Sequence, residues 1–196
     1  MPRRLEFFFD YVSPFSYLAN SQLPGIARRT GAELVYRPMF LGGVMQATGN
    51  QPPATLPARA KYMPRDIQRW VRRYRIEFAP NPNFPMQTLL AMRTAIAAQD
   101  AGVFPAYHEA LFRAAWGKPA NLGDVAVLRD VIAKAGLDPE PLLAAAATEP
   151  LKERLKASTS EAVARGAFGA PSLFVGDELF FGNDRLDFVE EALGAA

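Results

Sequence analysis

The chain has no cysteine and a single histidine among its 196 residues. Without cysteine there are no disulfides, no dithiol redox centre, no thiol nucleophile and no thiolate metal site. A lone His108 rules out a zinc site built on two or three imidazoles, and His108-Glu109 has no second histidine to complete an H-E-x-x-H helix. Long apolar runs are missing as well. Nothing approaches the ~18 apolar residues that a membrane-spanning helix needs. Nor is one sign of charge in surplus: 22 basic against 20 acidic residues leave a net +2, whereas nucleic-acid binders concentrate a basic excess. The expected partners are therefore small molecules, not nucleic acid or membrane. Near the N-terminus, Arg3 and Arg4 precede the apolar run from Phe7 to Phe9, which Asp10 stops. That run is too short for the core of a signal peptide, so a cytoplasmic protein is expected.

What is present reads as an α/β chain interrupted by helices. Residues 5–11 are short and aromatic and read as a buried strand. Ser13-Pro14 follows, with serine suited to an N-cap and proline to the first helical position. The helix begun there should run to Gly31, with Pro24 as a kink or break. Residues 33–39 form a second strand, and a crossover helix makes the pair parallel. Residues 41–58, rich in glycine, proline, glutamine and asparagine, read as a long loop. Helical patterns then cover 59–75, 86–100, 105–116, 124–135, 139–147 and 150–165, with a proline-rich stretch at 79–85. Two apolar runs, 172–175 and 178–181, flank Gly176-Asp177 as a hairpin. Asn183-Asp184 should cap a last helix over 185–193. One sheet should hold all four strands.

Three places carry chemistry. Ser13, Pro14, Phe15 and Ser16 lie where a strand gives way to a helix, so free N–H groups and the positive end of the helix dipole converge there. An ordinary N-cap fits the same residues. Pro171, at the entrance to an apolar strand, suits either a loop proline or a cis peptide. In the second case Ala170 presents its backbone N–H and C=O to an extended peptide. Asn183 and Asp184 open the last helix, as plain caps or as receivers of an amino-acid head group.

Taken in order, these segments resemble the DsbA-like branch of the thioredoxin superfamily. More narrowly, residues 7–20, 66–70 and 169–186 resemble the 2-hydroxychromene-2-carboxylate isomerases and the related kappa-class glutathione transferases. The resemblance spans essentially the whole chain. It implies a thioredoxin-like domain of residues 1–39 and 166–196, a helical insertion of residues 40–165, and a homodimer. It also implies glutathione as cofactor. Ser13 stands where a C-x-x-C protein has its attacking cysteine and would hydrogen-bond the glutathione sulfur. Ala170 and Pro171 match the peptide-pairing edge, and Asn183 and Asp184 the γ-glutamyl pair. Asn50, with Asn81 or Asn83, lies near polar positions that contact glutathione or substrate. Two departures stand out: Ala170 replaces a commoner valine, and the 41–60 stretch is shorter.

The implied activity is a glutathione-dependent cis–trans isomerisation in aromatic catabolism, between 2-hydroxychromene-2-carboxylate and trans-o-hydroxybenzylidenepyruvate. A small aromatic carboxylate would be the substrate. The absence of cysteine agrees, because the thiol arrives with the cofactor. Two alternatives remain open: a kappa-like transferase or peroxidase that consumes glutathione, and a non-catalytic peptide-binding protein. Arg65, Arg69 and Arg72 or Arg73, with Lys61, form a basic helix face that suits either solvent or an acidic ligand. His108, Trp70 and Trp116 fit core positions better than catalytic ones.

Overall fold

The computed structural model describes residues 3–194. Among them, four strands form one sheet in the order β2-β1-β3-β4. Strand β1 is Arg4–Phe9, β2 Glu33–Pro38, β3 Ser172–Val175 and β4 Glu178–Phe181. Strands β1 and β2 are parallel, while β1–β3 and β3–β4 are antiparallel. The expected crossover, hairpin and single sheet are all found. Alternation along β1 sends Leu5, Phe7 and Phe9 into one core and Phe8 into another on the opposite face. Helices therefore cover both faces of the sheet.

The crossover is two helices, α1 (Pro14–Asn20) and α2 (Leu23–Thr30). The break falls at Ser21-Gln22, ahead of the expected Pro24. Pro24 sits in the first turn of α2, where a missing N–H costs nothing. The stretch read as a loop contains a helix, α3 (Leu41–Thr48), and a 3₁₀ turn at Pro53–Thr55. The reason for the error is tertiary. A Cβ on Gly42 would meet the Phe40 ring at 2.9 Å, and one on Gly43 would crowd Thr159 at 3.3 Å. Glycine here lets a helix sit close to its neighbours, where the sequence suggests only a breaker.

The remaining helices are α4 (Pro57–Tyr74), α5 (Leu89–Asp100), α6 (Phe104–Phe112), α7 (Val125–Lys134), α8 (Pro139–Ala146), α9 (Glu149–Ala164) and α10 (Leu186–Ala192). A π-helical turn, Arg113–Gly117, extends α6. Met92 and Ala95 of α5 and Leu111 and Phe112 of α6 share one apolar cluster with Phe7 and Phe9. The core thus runs across the chain positions at which the helical block begins and ends. No helix of the described residues is long and apolar enough to cross a membrane.

His108 belongs to this core. Its Nδ1 lies 3.1 Å from the Tyr11 hydroxyl and its Nε2 2.9 Å from Asn20 Oδ1. Burial pushes the imidazole down to about 3. Between pH 6.5 and that value the unfolded chain takes up a proton that the fold refuses, so stability falls as pH falls. Lowering pH from 7 to 4.5 should cost wild type on the order of 2–3 kcal/mol more than His108→Gln. Urea unfolding of both proteins at the two pH values measures the difference.

Candidate functional site

The site begins where β1 ends. The Ser13 N–H donates to the Asp10 carbonyl at 3.0 Å, closing a turn that brings Ser13 to the N-cap of α1. Its Oγ accepts from the Ser16 N–H at 3.1 Å and donates to the Ala170 carbonyl at 3.0 Å. One hydroxyl, 4% exposed, thereby joins segments 157 residues apart. The Ala170–Pro171 peptide is cis, as is Phe84–Pro85. The Pro171 carbonyl accepts from the Gly182 N–H at 3.1 Å, which brings the start of the last helical segment beside the same edge.

Asn183–Arg185 forms a 3₁₀ turn before α10, with Arg185 in the N-cap position and no side-chain cap there. The expected cap by Asn183 or Asp184 is therefore corrected, since the turn sets both side chains short of the α10 amides. Asn183 is buried, and its Nδ2 has no hydrogen-bond partner. A buried unsatisfied donor costs about 1–3 kcal/mol. Its carbonyl accepts from the Tyr74 hydroxyl at 2.9 Å, which ties the turn to α4. The Asp184 carboxylate pairs with Arg185 at 2.7 Å and remains half exposed.

Ser13, Ala170, Asn183 and Asp184 line one cavity of about 610 Å³. That volume is in the usual range for small-molecule sites. Asn50 is on its wall, donating from Nδ2 to the Phe168 carbonyl at 2.7 Å. Asn81 and Asn83 are not. The Asn81 amide is buried, and its Nδ2 donates to the Ala115 and Ala120 carbonyls at 3.0 Å each. Its Oδ1 accepts from the Asn83 N–H and side chain. These two asparagines hold the loop before α5 to the π-helical turn.

The basic face of α4 points elsewhere. Arg69 pairs with Asp66, and Arg73 lies over the Trp70 ring. From α4 the cavity receives Arg59, Met63, Asp66 and Trp70. Arg59 makes no ion pair among the described residues. Sequence reading passed over it, although it stands two residues before Lys61, the first of the basic residues it favoured. Asp10 was also passed over. It is wholly buried, and burial raises its carboxyl above the ordinary range while bonds from Thr88, Leu41 and Val12 pull it back. An acidic residue directly after the apolar run Phe7–Phe9 was the available signal. Trp116, whose Nε1 donates to the Tyr11 carbonyl at 2.9 Å, is core as expected, and Trp70 packs on Tyr74 at the cavity wall.

A sheet carrying a helix N-cap serine against a cis-proline edge, with helices inserted between, is a thioredoxin-type scaffold without its thiols. Residues 4–194 match the DSBA-like thioredoxin domain. The 2-hydroxychromene-2-carboxylate isomerase of Sphingobium xenophagum is 34% identical over 98% of this chain and 99% of its own. Glutathione S-transferase kappa 1 of Caenorhabditis elegans is 30% identical over 98% of this chain and 92% of its own. A solved 2-hydroxychromene-2-carboxylate isomerase superposes with a TM-score of 0.87 at 30% identity, covering 97% of this chain and 94% of that one. The chain belongs to the DSBA-like thioredoxin family, in the branch that holds these isomerases and the kappa-class transferases.

Ser13→Ala should lose the N-cap and leave the Ala170 carbonyl without its partner. A loss of about 1–2 kcal/mol is expected. Thermal and urea unfolding check it, and an unchanged midpoint would mean the bond contributes nothing.

Proposed function

We propose that the protein is a glutathione-dependent isomerase acting on 2-hydroxychromene-2-carboxylate or a close aromatic relative. The observation that carries this reading is the orphaned Asn183 Nδ2, a buried donor on the cavity wall that the protein leaves unused. A ligand carboxylate satisfies it, and the neighbouring Asp184 carboxylate takes an ammonium group. A γ-glutamyl head group carries both. The residues present therefore fit glutathione. Arg59, which also lines the cavity, is a receiver for a second carboxylate. Bound glutathione supplies a thiol able to add reversibly to a conjugated carbon, which turns a fixed double bond into a rotatable one.

The chain's own residues do the rest. Ser13 has one hydroxyl proton, now given to the Ala170 carbonyl. An extended peptide lying along Ala170 offers that carbonyl an N–H instead, and the Ser13 proton is released to point at a sulfur. The positive end of α1 acts in the same direction. A free thiol titrates near about 8.5, and such donors lower it toward neutrality. Met45, Met63, Trp70 and Phe84 give the cavity an apolar, polarisable wall suited to a flat ring. Asn50 is a polar contact on the cavity wall.

A kappa-like transferase or peroxidase uses the same first half of the site, and product analysis separates the two: the isomerase returns glutathione unchanged. A peptide-binding protein would use the Ala170 edge with no need for a thiol. Glutathione and S-methylglutathione binding with no turnover of any conjugated substrate would favour that reading. We further propose a cytoplasmic homodimer built of a thioredoxin-like unit, residues 1–39 and 166–196, around a helical one. Sedimentation as a monomer at micromolar concentration would remove the dimer.

Asp184→Ala should weaken glutathione by roughly 1.5–3 kcal/mol, the size of a hydrogen bond to a charged group. Titration calorimetry measures this, and unchanged affinity would leave Asp184 as Arg185's partner alone. Ser13→Ala should raise the titration midpoint of the bound thiol, followed by thiolate absorbance, while affinity changes little. Each unit of that rise corresponds to about 1.4 kcal/mol. Equal midpoints in the two proteins would take Ser13 out of the chemistry.

A further inference from the structure

Helix α3 starts without a local cap, since Phe40 in its N-cap position offers no side-chain bond. Its first N–H is nevertheless satisfied. The Leu41 amide donates to Asp10 Oδ2 at 2.9 Å, from 31 residues away. The other carboxylate oxygen, Oδ1, accepts from the Thr88 hydroxyl at 2.6 Å and the Val12 N–H at 3.1 Å. All three bonds are donated to Asp10, so the acceptor-only carboxylate is the form that satisfies them. Asp10 and Thr88 are both buried. No charged side chain is bonded to Asp10, and its nearest titratable neighbour in the chain is the buried Tyr11.

These bonds join three separate walls of the cavity. Val12 leads to Ser13, Leu41 heads the helix that carries Met45 and leads to Asn50, and Thr88 closes the segment after Phe84. By contrast, Ala170, Asn183 and Asp184 make no bond to the Asp10 side chain. We propose that Asp10 is the positioning residue for the half of the cavity that receives the co-substrate, holding α3 and the 84–88 segment against the Ser13 turn. This deepens the proposed function and rests on it.

An asparagine cannot replace this carboxylate. Placed at Oδ2, its amide faces the Leu41 N–H. Placed at Oδ1, it faces the Val12 N–H, and only the Thr88 hydroxyl can turn to accept. One backbone donor is left against another donor in either case. The Ser13 N–H is unaffected because it uses the Asp10 main-chain carbonyl.

The test combines Asp10→Asn, Thr88→Val and Thr88→Ser with wild type. Glutathione affinity is read by calorimetry, and KM and kcat with 2-hydroxychromene-2-carboxylate. The expected result is a rise in co-substrate KM of about tenfold in Asp10→Asn, with glutathione affinity within about twofold. Thr88→Val should follow in the same direction and Thr88→Ser should keep the wild-type values. Co-substrate KM unchanged in Asp10→Asn, or glutathione affinity falling in step with it, would overturn the proposal. If Asp10→Asn fails to fold, the Thr88→Val and Thr88→Ser pair decides by the same split. Wild-type protein that binds no glutathione would instead overturn the glutathione reading, a result visible before any variant is made.

Discussion

The pairing of β1 with β3 is the constraint on which the rest depends. Its register sets Leu5 against Val175 and Phe8 against Ser172. The segment that enters β3 is Ala170-Pro171, joined by a cis peptide. The turn that follows Asp10 then delivers Ser13 onto the Ala170 carbonyl. Two segments at opposite ends of the chain become one edge, and the helices between them are free to build the far wall. A slip of one residue would turn Phe7 and Phe9 out of the core. Phe8 packs on Phe174 of β3 with ring centres 5.5 Å apart, which holds the register on one face, while Phe7 and Phe9 are committed to the core on the other.

The chemistry this edge supports is that of a host. In the proposed function the protein contributes donors, a helix dipole and an apolar wall, and the reactive sulfur is that of the bound glutathione. Under that proposal a thioredoxin-type scaffold needs no cysteine of its own. The same proposal gives a use to two features of the site. Asn183 is buried with an unused donor, and Ser13 spends its only proton on a main-chain carbonyl that a peptide ligand would claim.

Asp10 shows how a short strand end organises a wide cavity. A negative group is favourable at a helix N-terminus, and α3 receives that group from β1. The glycines at its start admit Phe40 and Thr159 closely, so the helix is stabilised by what it touches more than by its own residues. A composition rich in glycine and proline carries no trace of such contacts, and for that reason the stretch reads as a loop.

By itself the sequence determined the strands, the crossover and hairpin, and the N-cap at Ser13, because apolar periodicity and capping residues are local signals. The lack of cysteine and of a second histidine likewise limited the chemistry before any fold was known. Tertiary structure decided the rest. It made α3 a helix, took Asn81 and Asn83 away from the cavity to hold a loop, and chose Arg59 over the arginines further along α4. It also turned Asp10 from a strand stop into the tie between three walls. Each of these depends on partners tens of residues distant, and no spacing within the chain encodes which donor will meet which acceptor across that distance.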